Sequence, residues 1–214
     1  MEWNKVRSLQ LKYSIYFNII KSMKRGLLII MSGPSGVGKG TVRLELVKDK
    51  TLNLFYSVSM TTRKPRPGEV DGSDYYFVSQ DEFNRQIEDG NLLEWAEFVG
   101  NKYGTPKDKV ENKRDEGVNV LLEIEVNGTS QVLNKLKGDL DVVSIFLAPP
   151  SIEELEKRIR GRSTEADEVI QKRLARSEAE LKLKSQYEYV VVNDNIKRCV
   201  NEVKQIIHSR MNRK

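Results

Sequence analysis

The segment GPSGVGKGT at 33–41 constrains the fold more than any other stretch, because only Ser32 separates it from the apolar run LLIIM at 27–31. Gly33, Gly38 and Lys39 have the G-x-x-x-x-G-K spacing of a phosphate-binding loop between a strand and a helix. Glycines let consecutive backbone N–H groups turn toward an anion, and the helix N-terminus adds the positive end of its dipole. A plain glycine turn would need no lysine. The segment therefore predicts a nucleotide-phosphate site in an α/β protein.

The loop departs from its usual form at the position that supplies a hydroxyl to magnesium. Gly40 stands there, and Thr41 offers its hydroxyl one residue later. A switch GTPase usually has a direct Ser or Thr ligand to magnesium at this position, so the shift disfavours that class. Metal-assisted chemistry is not excluded, because magnesium keeps several waters and takes few protein ligands. Thr41 is one predicted metal contact. Glu123, at the end of an apolar run, is the other, acting through water, and its alternative is a carboxylate that faces solvent.

From Lys24 onward, apolar runs alternate with helical patterns, which is typical of a parallel sheet with crossover helices. Two S-x-x-E capping boxes, at Ser79 and Ser151, predict helix starts. Strands are predicted at 27–31, 54–60, 74–78, 92–98, 118–125, 142–148 and 188–193, and helices at 41–49, 79–90, 106–117, 151–162 and 167–184, with a further helix at the C-terminus.

Composition excludes several classes of protein. Among the 214 residues 38% are hydrophobic and 31% charged, and no apolar run approaches the roughly 20 residues of a membrane span. The formal net charge is +5, but basic residues alternate with acids, so neither nucleic acid nor a membrane is predicted as a partner. The single cysteine, Cys199, favours a reducing compartment, the cytoplasm, and a plain core role. Residues 1–22 are predicted to be a dispensable extension before a natural start at Met23. Deletion of residues 1–22 is expected to leave activity intact.

A second anion site is predicted in SVSMTTRKPRPGEVDGSDYYF at 57–77. Arg63 and Arg66 are braced by prolines, and Tyr75 follows them. Paired guanidinium groups and a phenol suit a terminal phosphate monoester. The alternative is a pair of solvated surface arginines.

The phosphate loop, segment 57–77, LLEWAEFVGNKYGTP, LLEIEVNG, FLAPPS and VVVND occur in the order and spacing of guanylate kinases, which the chain resembles from about Lys24 to its end. The resemblance implies a three-layer P-loop α/β fold with a mainly parallel central sheet, and in addition a small β-rich GMP-binding insert and a helical lid. The implied domain is 23–214, with a core of 23–56, 92–150 and 187–214, an insert at about 57–91 and a lid at about 151–186. It also implies Mg²⁺-dependent transfer of a phosphoryl group from ATP to GMP, with dGMP as a further acceptor, by a monomer or small homo-oligomer.

Guanine presents N1–H and N2–H₂ as neighbouring donors, whereas adenine has no such pair. The resemblance makes Glu94 the carboxylate that accepts from both, with the hydroxyls of Ser59 and Thr105 at the base edge. It also implies a base contact for Glu125. Because a buried strand carboxylate without a partner is costly, the pair Glu123 and Glu125 is predicted to have a polar or functional role. The implied GMP-binding residues are Ser59, Arg63, Arg66, Tyr75, Glu94, Tyr103, Thr105 and Glu125.

The resemblance places ATP on the glycine-rich loop and arginines of the lid over the ATP phosphates. It also assigns Asn193, more weakly, to a position near the nucleotide base. Two departures, Ser163 and Asn127, touch no charge that the reaction requires. The implied ATP-binding residues are Gly33, Pro34, Ser35, Gly36, Val37, Gly38, Lys39, Gly40, Thr41 and Asn193. The implied catalytic residues are Lys39, Arg63, Arg158, Arg162 and Arg173.

Three other functions remain open on the sequence. Guanylate-kinase-like modules of scaffold proteins bind peptides without catalysis, but they typically lack the loop lysine or the nucleotide-site residues. Another nucleoside monophosphate kinase would share the loop, and the carboxylate at Glu94 argues for guanine. A nucleic-acid binder would show binding that falls steeply with salt.

Overall fold

The computed structural model describes residues 24–98, 100–161 and 167–213. Arg162 and Ser163 lie outside these residues, as does the predicted extension. Helices and strands follow one another in the described chain as β1 (Leu28–Ser32), α1 (Lys39–Val47), β2 (Leu54–Tyr56), β3 (Met60–Thr61), β4 (Tyr76–Phe77), α2 (Gln80–Glu88), β5 (Leu92–Phe98), β6 (Asn101–Pro106), α3 (Lys107–Asp115), β7 (Asn119–Glu123), α4 (Val126–Lys135), β8 (Val142–Ala148), α5 (Ile152–Arg160), α6 (Asp167–Leu181), β9 (Tyr189–Val192) and α7 (Ile196–Asn212).

The central sheet has the strand order β2-β7-β1-β8-β9, and each of its pairings is parallel. β1 lies in the middle and is buried along its whole length, which explains why its sequence is a continuous apolar run rather than an alternating one. The carboxyl end of β1 leads directly into the glycine-rich loop. The predicted parallel central sheet is confirmed.

Side chains of β1 alternate between two hydrophobic cores, one on each face of the sheet. Ile29 and Met31 pack with α1 and α7, whereas Leu28 and Ile30 pack with α3 and α4. Two layers of helices with a sheet between them form the predicted three-layer arrangement. Cys199 belongs to the first core, where burial raises the pKa of its thiol to about 11.

A second sheet has the order β4-β3-β6-β5, with β3 and β4 parallel and the other two pairings antiparallel. This sheet includes Leu92–Phe98 and Asn101–Pro106, which the predicted domain boundary at 91 assigned to the core. We therefore propose an insert that extends to 106. The physical reason for the shift is that β5 pairs with β6, and β6 in turn pairs with β3.

Local signals mark helix starts better than strand ends. The hydroxyls of Ser79 and Ser151 accept hydrogen bonds from the backbone N–H three residues later, at 3.1 and 3.2 Å, so both predicted caps are confirmed. The predicted strand 118–125 is too long, because β7 ends at Glu123 and α4 begins at Val126. The predicted run 54–60 is divided between the two sheets. Among the described residues no helix has the length and apolar character required to cross a bilayer.

Candidate functional site

The glycine-rich loop joins β1 to α1, and the first residue of α1 is Lys39. Its ammonium group donates to the carbonyl oxygens of Gly33 at 2.5 Å and Pro34 at 3.1 Å, so the side chain folds back over the loop. Burial lowers the pKa of Lys39, an effect that the nearby carboxylate of Glu123 opposes. The first turn of α1 contains no acidic residue. A positive charge and a helix N-terminus therefore face the same space, as an anion site requires.

The loop is held from behind by Asn193, which follows β9. Its Nδ2 donates to the carbonyl of Val37 at 2.8 Å, and the side chain is buried. Gly38 has φ +103°, and a Cβ there would lie 2.6 Å from Nδ2 of Asn193. Only glycine accommodates both that backbone conformation and that contact. Asn193, which was predicted to lie near the nucleotide base, thus contacts the loop. The side chain of Val37, a predicted ATP-binding residue, packs in the hydrophobic core.

A cavity of about 840 Å³ extends from the glycine-rich loop to the second sheet. Its wall combines predicted residues of both nucleotide sites with residues of α6. The predicted site residues in the wall are Gly33, Ser35, Lys39, Ser59, Tyr75, Glu94, Tyr103, Glu123, Glu125 and Arg173. A smaller cavity of about 380 Å³ lies beside the loop, lined in part by Gly40 and Thr41.

Glu94, the predicted guanine contact, lies on β5 and is 6% exposed. Oε1 accepts a hydrogen bond from the hydroxyl of Thr105 at 2.6 Å. Burial raises the pKa of Glu94 to about 7, and that hydrogen bond only partly offsets the effect. On the other side of the carboxylate, a Cβ on Gly128 would lie 2.6 Å from Oε2. The missing side chain at Gly128 therefore provides the space in which this carboxylate lies.

Glu125, predicted as a second base contact, is not a strand residue but the N-cap of α4. Its side chain is half exposed, so the cost of burying a strand carboxylate, used above to infer its role, does not apply. Its Oε2 accepts a hydrogen bond from Arg176 on α6 at 2.5 Å. Glu125 nevertheless lies in the wall of the same cavity as Glu94.

The predicted monophosphate residues lie at the edge of the second sheet. The guanidinium of Arg63 lies over the ring of Tyr75, 5.4 Å from its centroid, and donates to Glu69 at 2.7 Å. The Tyr75 ring meets the ring of Tyr103 edge to face, with the centroids 6.0 Å apart. Arg66 is exposed, and its backbone N–H donates to the second oxygen of Glu69 at 2.7 Å. Arg63 therefore reaches the two tyrosines, whereas Arg66 extends into solvent.

The predicted metal residues lie close to the loop. Among the described residues there is no cluster of three or more His, Cys, Asp or Glu side chains that could bind a metal alone. Glu123 Oε2 accepts a hydrogen bond from Nε of Arg43 at 2.9 Å, while Oε1 lies 3.9 Å from the position of a Cβ on Gly40. With the hydroxyl of Thr41, this is a sparse set of oxygen donors. Such a set suits a magnesium ion that is bound by phosphates and water.

Two arginines of the predicted lid contact the glycine-rich loop and the segment after β9 that supports it. Arg173 on α6 donates to the hydroxyl of Ser35 at 2.8 Å, which places it at the glycine-rich loop. Arg158 on α5 donates to the carbonyl of Asn193 at 2.9 Å and to Glu154 at 3.0 Å. Arg158 therefore contacts the segment that supports the loop. Arg162 lies outside the described residues.

Several residues of the site were missed in the sequence. Arg43 orients Glu123, Gly128 makes room for Glu94, and Arg176 binds Glu125. The available signal was helical spacing. Arg43 follows Lys39 by four residues and Arg176 follows Arg173 by three, so each shares a helix face with a predicted site residue.

Comparison with known proteins gives consistent results. A profile of the family described as guanylate kinase matches residues 25–210. The guanylate kinase of Lactococcus lactis subsp. lactis is 53% identical over 193 residues, which cover 89% of this chain and 92% of that protein. The guanylate kinase of Mycoplasma capricolum subsp. capricolum is 53% identical over 186 residues, or 87% of this chain and 62% of that protein. The chain thus spans about three fifths of the length of the Mycoplasma relative. A crystal structure of guanylate kinase from Anaplasma phagocytophilum superposes with a TM-score of 0.69 at 35% identity, covering 87% of this chain and 86% of that one.

Proposed function

The chain belongs to the guanylate kinase family, and from that premise we propose that it transfers the γ-phosphoryl group of ATP to GMP, and to dGMP, giving the diphosphates. The observation that carries the proposal is the continuity of one cavity from Lys39 to Glu94. A phosphate-binding end and a carboxylate-lined end share that space. Two nucleotides bound at these ends would meet through their phosphates.

At the donor end, backbone N–H groups of the loop and the N-terminus of α1 would bind the β- and γ-phosphates, with Lys39 as a mobile point charge. The two carbonyls that Lys39 contacts, those of Gly33 and Pro34, would be exchanged for phosphate oxygens. Thr41 and Glu123 would hold Mg²⁺, in part through water. When bound, the ion supplies positive charge that neutralises the phosphates.

At the acceptor end, Glu94 would accept hydrogen bonds from N1–H and N2–H₂ of guanine. Only the ionised carboxylate accepts both, so the pKa of about 7 makes binding sensitive to pH near neutrality. Thr105 keeps the carboxylate in place by donating to Oε1. AMP offers no matching pair of donors, which gives a physical reason for selectivity.

The acceptor monophosphate would lie between these ends, near Arg63, Tyr75 and Tyr103. Arg63 would exchange its ion pair with Glu69 for the phosphate, and its contact with the Tyr75 ring would keep the guanidinium oriented. Arg66, from its exposed position, would complete the phosphate contacts.

Transfer would need no covalent nucleophile, because the acceptor is already a phosphate oxygen anion. The work is positioning two anions and neutralising the charge between them. Lys39 and Arg173 are close enough to the loop to do so, and we propose Arg158 and Arg162 as further contributors from the lid. Closure of the lid would exclude water, which would otherwise consume ATP. The single buried cysteine favours a reducing compartment, so we also propose a cytoplasmic location.

The test is a coupled assay of ADP release from MgATP with GMP, dGMP, AMP, UMP and CMP as acceptors. We expect rapid turnover with GMP, turnover with dGMP, and little with the other three. A preference for AMP would refute guanine recognition, and ATP binding without ADP release for any acceptor would instead favour a catalytically silent binding module.

A further inference from the structure

Arg176 on α6 joins three parts of the molecule at the guanine end of the cavity. Its Nη2 donates to Oε2 of Glu125 at 2.5 Å, and its Nε donates to Oε1 of Glu180 at 3.1 Å. The guanidinium also lies over the ring of Phe98, with Cζ 5.3 Å from the centroid. Each of these contacts uses a different part of the side chain, so Arg176 is held in one orientation.

The three contacts lie on separate elements. Glu125 is the N-cap of α4 in the core, Phe98 ends β5 in the second sheet, and Glu180 lies on α6 itself. Phe98 is 49% exposed and lines the cavity, so the guanidinium covers part of an apolar ring that would otherwise face that space. A single arginine thus connects the lid helix, the insert and the core.

The same helix reaches the phosphate end of the cavity. Arg173 lies three residues before Arg176, on the same face of α6, and donates to the hydroxyl of Ser35 in the glycine-rich loop at 2.8 Å. One turn of α6 therefore contacts the proposed ATP site through Arg173 and the proposed guanine site through Arg176. A displacement of α6 changes both contacts together.

Charge gives Arg176 a second effect at the guanine end. Glu94 and Glu125 line the same cavity, and their like charges disfavour each other. Lys135 is the cation that acts directly on Glu94, whereas Arg176 is bonded to Glu125. Arg176 thereby neutralises one of two acids that would face the same base.

We infer that Arg176 is a positioning residue that orients the carboxylate of Glu125 toward the guanine end of the cavity and couples occupancy of that end to the position of α6. The inference rests on the proposed function, because it takes guanine as the ligand at that end. It assigns a role in acceptor recognition to Arg176, which is bonded to Glu125, whereas Arg173 on the same helix is bonded to Ser35 of the loop.

Isothermal titration calorimetry tests the inference, with GMP titrated into the full chain in the absence and presence of a non-hydrolysable ATP analogue with Mg²⁺. The variants are Arg176→Met, which keeps a long side chain without charge, and Arg176→Lys, which keeps the charge without the planar group. Arg160→Met is the control. Arg160 has a similar side-chain exposure, 40% against 42%, and it pairs with Glu156 and Asp167 away from the cavity.

For the unaltered chain we expect the Kd of GMP to be lower when the analogue is bound. For Arg176→Met we expect the GMP Kd to rise by about tenfold, the order of magnitude for a lost charged hydrogen bond. The ratio of the two GMP Kd values should approach one, while the Kd of the analogue alone stays unchanged. Arg176→Lys should restore part of both effects, and Arg160→Met should match the unaltered chain.

An Arg176→Met protein that binds GMP as tightly as the unaltered chain overturns the inference, as does one that loses affinity equally for GMP and the analogue. An unaltered chain that binds GMP equally with and without the analogue overturns the coupling. An unaltered chain that binds no GMP refutes the proposed function instead, so the two failures are distinguishable.

Discussion

Replacing Glu94 with glutamine should stabilise the fold and impair GMP binding at the same time. Glu94 is 6% exposed, and burial raises its pKa from the usual 4.5 to about 7. Glutamine has nearly the same shape, can accept the hydrogen bond from Thr105, and never ionises.

The sign of the effect follows from linkage between proton binding and folding. Because the folded-state pKa lies above the unfolded one, the unfolded chain ionises first, and the ionised carboxylate costs the folded state free energy. The shift corresponds to about 3 kcal/mol. That cost is fully present above about pH 7, declines as the pH falls, and is absent below about pH 4.5.

Urea unfolding at several pH values measures this directly. At about pH 8.5, Glu94→Gln should be more stable than the unaltered chain by up to about 3 kcal/mol, and the difference should vanish near pH 4.5. Its affinity for GMP should fall by roughly 10²- to 10⁴-fold, since an amide NH₂ would face the guanine donors, while ATP binding stays nearly unchanged. A variant that is less stable at high pH, or a difference that does not depend on pH, would refute the reasoning about burial, and unaltered GMP affinity would show that Glu94 does not face the base.

Three further substitutions separate the parts of the site. Gly128→Ala places a Cβ 2.6 Å from Glu94 Oε2 and should raise the KM for GMP without lowering thermal stability, because alanine favours the helix by about 1 kcal/mol; an unchanged KM would contradict the assigned contact. Lys39→Ala should lower kcat by roughly 10²-fold while calorimetry still detects GMP binding, and normal turnover would exclude Lys39 from the transfer step. Arg43→Met releases Glu123 and should raise the Mg²⁺ concentration for half-maximal activity, with kcat lowered about tenfold; the expectation fails if the Mg²⁺ requirement does not change.

Local patterns predicted the parts of the fold that depend on neighbouring residues. The continuous apolar run at 27–31 predicted the buried central strand, and the hydroxyls of Ser79 and Ser151 predicted two helix starts. The hydrogen bond of each cap spans only three residues, whereas the apolar run indicates that the strand is buried without specifying its partners β7 and β8.

The assignment of strands to sheets depends on partners that are distant in the chain, so it was harder to predict from the sequence. Segment 92–98 was predicted as a strand and is one, but its pattern is compatible with either sheet. Segment 92–98 belongs to the second sheet because it pairs with Asn101–Pro106, which in turn pairs with Met60–Thr61. Strand periodicity indicates which residues share a face and leaves the partner unspecified.

The same limit explains which site residues were missed. Helical spacing places Arg43 and Arg176 on faces already occupied by predicted site residues, but their partners lie 80 and 51 positions away in the sequence. For Glu125, the prediction of a buried strand carboxylate was wrong because β7 ends at Glu123. Its place in the cavity follows instead from the position of α4 beside the second sheet.

We propose that one cavity brings the phosphates of ATP and GMP together, so that a phosphoryl group passes between them and not to water. Incubation with ATP labelled at the γ-phosphate, followed by separation of the products, tests it most directly. We predict that in the presence of GMP the label appears in GDP, with little inorganic phosphate, and that Lys39→Ala slows this transfer by roughly 10²-fold. Label released as inorganic phosphate at the same rate with and without GMP would contradict the account.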